Sequence, residues 1–152
     1  MVFNEYQKIN REFDYLIWGS DISTAVLSKA QTAIYEYESV ASINYSLKSK
    51  YLLKNKNPNK TLVRIVPELR LKTLFSRFNL ITDDFSGIGK YHIIFCRNVM
   101  IYFDKENQQK LVRKFYNSLE KGGYLFISHS ETLLTVNLPL VQRAPSVYQK
   151  YE

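Results

Sequence analysis

The sequence has few of the residues on which several classes of protein depend. It contains one cysteine, Cys96, and two histidines among 152 residues, so an intramolecular disulfide framework is excluded and a zinc cluster is not expected. Its apolar runs are far shorter than the roughly 20 residues that a membrane-spanning helix needs. The first thirteen residues, MVFNEYQKINREF, lack the basic-then-apolar order of a signal peptide. We therefore expect a cytoplasmic protein with no membrane insertion and no metal.

Acidic residues are almost absent from one part of the chain. Between Tyr45 and Phe78 there are nine lysines and arginines against a single acid, Glu68. The local net charge of +8 exceeds the +7 of the whole chain. Such a segment is either a solvated surface that keeps the protein soluble or a basic face for an acidic partner, nucleic acid or protein.

The sequence does contain enough apolar material for a sizeable core, with 45% hydrophobic and 14% aromatic residues. Amphipathic spacing predicts a helix over residues 1–13. The run Tyr15–Gly19 is typical of a buried parallel strand, and Ser23 can cap a helix over Thr24–Ala33. Strand and helix patterns continue to alternate further on, which predicts an α/β protein with a mostly parallel sheet.

A different pattern interrupts this alternation at about residues 45–72. Two strand-like runs, Tyr51–Leu53 and Leu62–Val66, flank an Asn-Pro-Asn turn, which predicts an antiparallel hairpin that carries the basic residues. Beyond it we expect strands within 71–81, 92–96 and 124–128 and a terminal hairpin formed by 140–143 and 147–151. Asp104 should cap the intervening helix, which we expect Gly122 and Gly123 to end.

Polar residues follow three of the predicted strands. In parallel sheets, ligands bind where strands end, which makes Asp21, Asn79 and the pair Arg97 and Asn98 candidates. Asp21 could instead bind the free amides of a helix start, and Asn79 could be an ordinary turn residue. A binding role is more strongly indicated for Arg97, because an arginine in an apolar run needs a partner if it is buried.

Three segments resemble one family closely: IIFCRNVMIYFD at 93–104, GGYLFISHSE at 122–131 and GSDIS at 19–23. They are similar to the CheR-type chemotaxis receptor methyltransferases, which transfer a methyl group from S-adenosylmethionine to glutamate side chains of chemoreceptors, leaving S-adenosylhomocysteine. The likeness runs from about Tyr15 to the C-terminus. It implies a Rossmann-like class I methyltransferase sheet with an inserted small antiparallel β-subdomain, and a protein-glutamate O-methyltransferase activity.

The resemblance also implies roles for individual residues. It places Asp21 at the cofactor ribose, Asn79 and Leu80 beside the adenosyl group, and Arg97 and Asn98 at the following strand. A further position, Tyr102, matches a tyrosine close to the transferred methyl and is our candidate catalytic residue. The segment His129, Ser130 and Glu131 matches a family motif except that Ser128 replaces a glycine, and we interpret it as structural.

The resemblance covers only the C-terminal part of the family's S-adenosylmethionine-binding domain. Family members carry a preceding helical domain and a first strand that ends in a glycine-containing turn, and neither is found in these 152 residues. That first strand lies between the strands at Tyr15–Gly19 and Ile93–Cys96, so we expect these two edges to pair directly or to be covered by a second chain as a dimer. We also expect the isolated 152 residues to bind the cofactor weakly or not at all and not to methylate receptors.

The basic β-subdomain is, by resemblance, the surface that docks on chemoreceptor cytoplasmic domains, and we predict the hairpin Tyr51–Val66 as its docking edge. One alternative is a docking module without catalysis. Another is a nucleic-acid methyltransferase, in which Tyr51, Phe75 and Phe78 would stack on bases between the basic residues. The motifs favour protein glutamate, and we expect no nucleic-acid partner.

Overall fold

A computed structural model describes residues 1–57, 59–128 and 137–151. The chain forms two compact units, Met1–Asn79 and Leu80–Glu152, which are described separately. The first contains helices α1 to α4, at Val2–Ile9, Thr24–Thr32, Tyr45–Tyr51 and Pro67–Arg70, a 3₁₀ turn at Tyr37–Val40, and strands β1 to β5, at Ile17–Asp21, Ile34–Glu36, Leu52–Lys54, Leu62–Ile65 and Thr73–Arg77.

Strands β1 and β5 form a parallel pair, as predicted, but β1 begins two residues later than the expected Tyr15. The pairing aligns Ile17 with Thr73 and Asp21 with Arg77, and the Ile17 N–H donates to the Lys72 carbonyl at 2.9 Å. The expectation of a buried strand was wrong, because no residue of Tyr15–Gly19 is buried, and Leu16 and Ile17 are 62% and 40% exposed. Pairing with β5, rather than the apolar run, therefore sets the bounds of this strand.

The predicted cap of α2 is confirmed. The Ser23 hydroxyl accepts a hydrogen bond from the Val26 N–H at 3.3 Å. The helix ends at Thr32, and Ala33 follows in the left-handed conformation with φ 54°. Helix α1 is shorter than the predicted 1–13 and ends at Ile9.

The β-subdomain is a three-stranded antiparallel sheet in the order β2-β4-β3. The predicted hairpin is confirmed by the pairing of Leu52 with Ile65 and Lys54 with Val63. Tyr51 was wrongly assigned to a strand: Asn44 caps α3 by accepting from the Ser46 N–H at 2.9 Å, and the helix runs through Tyr51. Strand β2, which pairs with the other side of β4, was not predicted.

The second unit contains α5 at Lys105–Ser118, a 3₁₀ turn at Met100–Tyr102, and strands β6 to β9, at Tyr91–Phe95, Leu119–Phe126, Leu140–Ala144 and Val147–Lys150. Its sheet has the order β6-β7-β9-β8, with β6 and β7 parallel and the other pairs antiparallel. The antiparallel pairing of β8 with β9 confirms the predicted terminal hairpin. The core of this unit is a buried apolar cluster that includes Leu111, Val112 and Phe115 of α5 together with Leu125 and Ile127.

Asp104 caps α5 as predicted, accepting from the Asn107 N–H at 2.8 Å. The predicted end of that helix was wrong, because it stops at Ser118 and the two glycines lie inside β7. Gly122 has φ 77°, and a Cβ on Gly123 would lie 3.1 Å from the His92 carbonyl oxygen. Gly123 therefore permits the close approach of β6 and β7, whereas Gly122 permits a left-handed backbone.

Within the first unit, β1 pairs with β5, and within the second unit, β6 pairs with β7. Covering of the other two edges, by direct pairing or by a second chain, stays a prediction. Among the described helices, none is both long and apolar enough to cross a membrane.

Candidate cofactor site at the strand ends

In the first unit, Asp21 and Asn79 lie at the same edge of the β1–β5 pair. Asp21 is the last residue of β1, and its carbonyl accepts from the Phe78 N–H at 3.1 Å, which extends the pairing one residue beyond β5. The buried Phe78 ring packs edge-on against Trp18, with centroids 5.3 Å apart. Phe78 therefore fixes the point at which Asn79 leaves the sheet.

The Asp21 carboxylate is partly used by its own helix. Its Oδ1 atom accepts from the Ser23 N–H at 2.8 Å, so the interpretation as a helix-start carboxylate is correct for this oxygen. Within the described part of the chain, Oδ2 accepts no hydrogen bond. The carboxylate is half-buried, and one of its oxygens is thus positioned by the fold while the other can accept from a hydroxyl of a bound molecule.

In the second unit, Arg97 and Asn98 follow the carboxyl end of β6. Pairing with β7 continues through Cys96, whose N–H donates to the Phe126 carbonyl at 2.8 Å. Arg97 is exposed, so the charge in this apolar segment is not buried and needs no internal counter-charge. The break in the apolar run therefore coincides with the place where the chain leaves the sheet.

Asn98 is held by a residue that the sequence did not single out for this purpose. Its backbone N–H donates to Ser128 Oγ at 2.6 Å, and the Ser128 hydroxyl donates to Asn98 Oδ1 at 2.8 Å. Asn98 has φ 60°, a left-handed conformation that asparagine tolerates better than most residues. Ser128 is 3% exposed and follows β7, so the two parallel strands place these residues side by side. The substitution of serine for glycine at 128 was the available signal.

The Tyr102 side chain is exposed on the 3₁₀ turn at Met100–Tyr102, which follows Arg97 and Asn98 in the chain. Its side chain is 80% exposed, whereas Met100 two residues earlier is buried. Gln108 of α5 fastens the turn, since its Nε2 donates to the carbonyls of Met100 at 2.9 Å and Phe103 at 3.0 Å. An aromatic residue that packs the core would be buried, so the ring of Tyr102 is available for contact with another molecule.

Leu80 lies in a loop that Lys114 of α5 holds. The Lys114 ammonium donates to the carbonyls of Leu80, Ile81 and Asp83, at 3.2, 2.7 and 3.1 Å. It also lies 5.1 Å from the centre of the Phe85 ring. Sequence reasoning missed Lys114, because backbone carbonyls leave no recognisable pattern in a sequence.

Other candidate residues have different outcomes. The segment His129, Ser130 and Glu131 lies outside the described residues. Two of the aromatic residues offered for base stacking are unavailable, because Tyr51 is 1% exposed and Phe78 is 9% exposed. The described residues contain no cluster of histidine, cysteine and carboxylate side chains that could hold a metal ion.

Parallel strand pairs that end in polar residues define an α/β protein of the class that binds a ligand at its strand ends. A family model, CheR methyltransferase, SAM binding domain, matches residues 1–146. The chain belongs to this family.

Individual relatives agree with that assignment. Chemotaxis protein methyltransferases from Klebsiella aerogenes and Borreliella burgdorferi are 38% and 36% identical to this chain, over 87% and 99% of its length. The matched parts are 46% and 52% of those relatives, so the chain spans about half the length of the curated relatives that it matches. A solved O-methyltransferase family protein from Burkholderia thailandensis matches 40% of this chain over 18% of its own length, at 24% identity and a TM-score of 0.36.

Proposed function

We propose that this chain forms part of a protein-glutamate O-methyltransferase that converts chemoreceptor glutamates to methyl esters and S-adenosylmethionine to S-adenosylhomocysteine. The observation that carries the proposal is the family match over residues 1–146, in a chain whose strand ends present polar residues. S-adenosylmethionine, when bound, supplies the methyl group on its sulfonium sulfur.

Each unit, taken by itself, carries polar residues at its strand ends that are suited to the adenosine half of such a cofactor. Asp21 has one oxygen fixed by Ser23 and a second, Oδ2, that can accept from a ribose hydroxyl. We assign Asn79 and Leu80 to the adenosyl group, and Arg97 and Asn98 to the same cofactor. Two hydrogen bonds between Asn98 and Ser128, one donated by each residue, orient Asn98, and those from Lys114 hold the loop that begins at Leu80.

The reaction requires orientation rather than proton transfer. A glutamate carboxylate has an unperturbed pKa of about 4.3 and is already the anionic nucleophile at neutral pH. The protein must align its oxygen with the methyl group, and such alignment can contribute roughly 7–11 kcal/mol in favourable cases. The exposed hydroxyl of Tyr102, on a turn fastened by Gln108, can hold a carboxylate on that path.

Isolated, the 152 residues should bind the cofactor weakly and should not methylate receptors, since the matched relatives are about twice as long. A site that holds only one half of a ligand loses affinity and alignment together. Titration calorimetry with S-adenosylhomocysteine, on this chain and on the Borreliella burgdorferi relative, tests this expectation. Tight binding by the short chain would refute it.

A chimera tests the activity itself. In it, this chain replaces the matching 52% of the Borreliella burgdorferi relative, and transfer of a labelled methyl group to a receptor fragment is measured. We expect transfer by the chimera, a large loss with Asp21→Ala, and a lower rate at unchanged melting temperature with Tyr102→Phe. The exposed Arg11→Ala is the control. Loss of labelling by all three variants alike, or by none, would contradict the assigned roles.

The partner surface proposed for this function is the basic β-subdomain. Because β4 is the central strand, the edge that the predicted hairpin offers is β3, which pairs on one side only within the described residues. Lys54 and Lys56 are exposed beside that edge, and Arg64 is exposed on β4. An acidic receptor segment could add a strand to β3 and meet these charges.

A further inference from the structure

A cavity of about 410 Å³ in the first unit has no part in the proposed reaction. Its walls come from α2, the β-subdomain, α4 and the first residues of β5, and they include Ala30, Tyr35, Ile65, Leu69 and Leu74. The cavity thus adjoins the amino end of β5, whereas Asp21 and Asn79 lie at the carboxyl end. Its volume falls near the lower end of the roughly 300–1,000 Å³ typical of small-molecule sites.

Arg70 carries the one charged side chain among the lining residues of this largely apolar cavity. Its Nε atom is buried and has no hydrogen-bond partner. No ion pair reaches its guanidinium from any residue that the structure describes, and the cavity lining includes no acid. The backbone beneath it is fixed, since Arg70 ends α4 and its carbonyl accepts from the Thr73 hydroxyl at 2.9 Å.

Burial of the Arg70 Nε donor without a partner lowers the stability of the fold unless a bound acceptor satisfies it. A buried polar group without a partner loses its hydration and gains nothing in return. Guanidinium pairs best with carboxylates and phosphates, whose oxygens match its fork of donors. A carboxylate on an apolar body would match both the Arg70 guanidinium and the apolar part of the lining.

We propose that this cavity binds a small amphipathic monocarboxylate, with the carboxylate against Arg70 and the apolar body against Tyr35, Ile65 and Leu74. The proposal is independent of the methyltransferase function, because none of these residues belongs to the candidate cofactor site. It names the chemistry of the ligand, an apolar acid of metabolite size.

The test uses this chain with octanoate and 4-phenylbutyrate as probes and the matching alcohols as neutral controls. Calorimetry should give a Kd below about 1 mM for at least one acid. An acid that binds should have a Kd at least about tenfold lower than that of its alcohol, since hydrogen bonds to charged groups contribute roughly 1.5–3 kcal/mol. Amide NMR shifts should appear at Ala30, Tyr35 and Leu74.

Variants decide whether Arg70 is responsible. Arg70→Met should lose about tenfold or more in affinity for the acid and nothing for the alcohol, while Arg70→Lys, which keeps the charge without the fork, should lose less. Arg11→Met, an exposed arginine of the same unit, should change neither. Arg70→Met should fold, since it removes an unsatisfied donor, and circular dichroism checks this. Equal affinity for acid and alcohol, equal binding by Arg70→Met, or no binding of either acid would overturn the proposal.

Discussion

At the scale of single residues, the Ser128 hydroxyl determines the conformation of Asn98. It accepts from the Asn98 backbone N–H and donates to the Asn98 side-chain oxygen. Without Ser128, both groups would need water as their hydrogen-bond partner at the end of β6. The Ser128 hydroxyl therefore holds Asn98 in its left-handed conformation and leaves only the remaining polar atoms of Asn98 available to a ligand.

We predict that Ser128→Ala makes the Asn98 amide exchange with solvent faster and lowers the free energy of unfolding. Removing one partner of a buried hydrogen bond costs about 1–3 kcal/mol, and Ser128 is 3% exposed. Amide hydrogen exchange and urea unfolding measure the two effects. Replacement of the exposed Ser49 on α3 by alanine should change the unfolding free energy by less than about 0.5 kcal/mol. Unchanged exchange at Asn98 would contradict the assigned role of Ser128.

At the scale of elements, polar contacts attach α1 to α3. The Tyr51 hydroxyl donates to Glu5 Oε1 at 2.5 Å and accepts from Asn4 at 3.1 Å and from Lys8 at 3.0 Å. Lys50 adds an ion pair with the other oxygen of Glu5 at 2.7 Å. The hydrogen bonds from Lys50, Tyr51 and Lys8 lower the pKa of Glu5 to about 2.

This shift predicts how acid affects the first unit. A carboxyl group whose pKa is lower in the folded state stabilises the fold at pH values above its unfolded pKa, near 4.5. The stabilisation is lost as the pH falls from about 4.5 towards 2. We expect Glu5→Gln to be less stable than the parent at pH 7 and to lose less between pH 5 and 2. Urea unfolding across that range is the measurement, with the exposed Glu12→Gln as control. If the unfolding free energies of the parent and Glu5→Gln change with pH in parallel, the interactions of Glu5 with Lys50, Tyr51 and Lys8 do not contribute to stability.

Lys114 joins another element, α5, to the loop that starts at Leu80. Three backbone carbonyls accept from its ammonium. We expect Lys114→Met to raise amide exchange at Thr82 and Asp83 and to destabilise the second unit by about 1–3 kcal/mol, with partial recovery in Lys114→Arg. Lys110→Met, which breaks the exposed pair with Glu106, should cost less than about 0.5 kcal/mol. If both methionine variants behave alike, Lys114 does not hold the loop.

At the scale of the whole molecule, charge is distributed unevenly. The segment from Tyr45 to Phe78 carries a net charge of +8, and much of it lies in the β-subdomain. If that surface meets acidic receptor segments, long-range attraction speeds their encounter, and salt screens the attraction over a distance of about 10 Å at 0.1 M.

We predict that reversing Lys54, Lys56 and Arg64 to glutamate slows association with a receptor signalling fragment, chiefly at low salt. Stopped-flow mixing at two salt concentrations measures the association rate. Arg64 also donates from Nε to the Thr32 carbonyl at 3.1 Å, so a variant with only Lys54 and Lys56 reversed separates charge from structure. Reversal of two exposed lysines outside the basic segment, Lys29 on α2 and Lys105 on α5, is the matched control. Association unchanged by the hairpin reversals would make these residues an ordinary solvated surface.

What the sequence determined by itself is local. The helix caps at Ser23 and Asp104 and the Asn-Pro-Asn hairpin depend on residues that are close together in the chain. The parallel pairing of strands joined through a helix follows from general rules of chain connection. The positions of Asp21 and of Arg97 at strand ends could also be predicted, because polar residues that follow a strand-forming apolar run mark the end of the strand. The family motifs then gave those positions a chemical role.

What only the tertiary structure decided depends on partners distant in sequence. Strand β1 begins at Ile17 because its ladder partner is β5. Helix α5 ends before the glycines, and its last carbonyls accept from Lys150 and Lys90. Ser128 and Lys114 reach the candidate site for the same reason: a hydrogen bond requires only that two atoms meet, and folding brings together residues that periodicity and turn chemistry cannot connect.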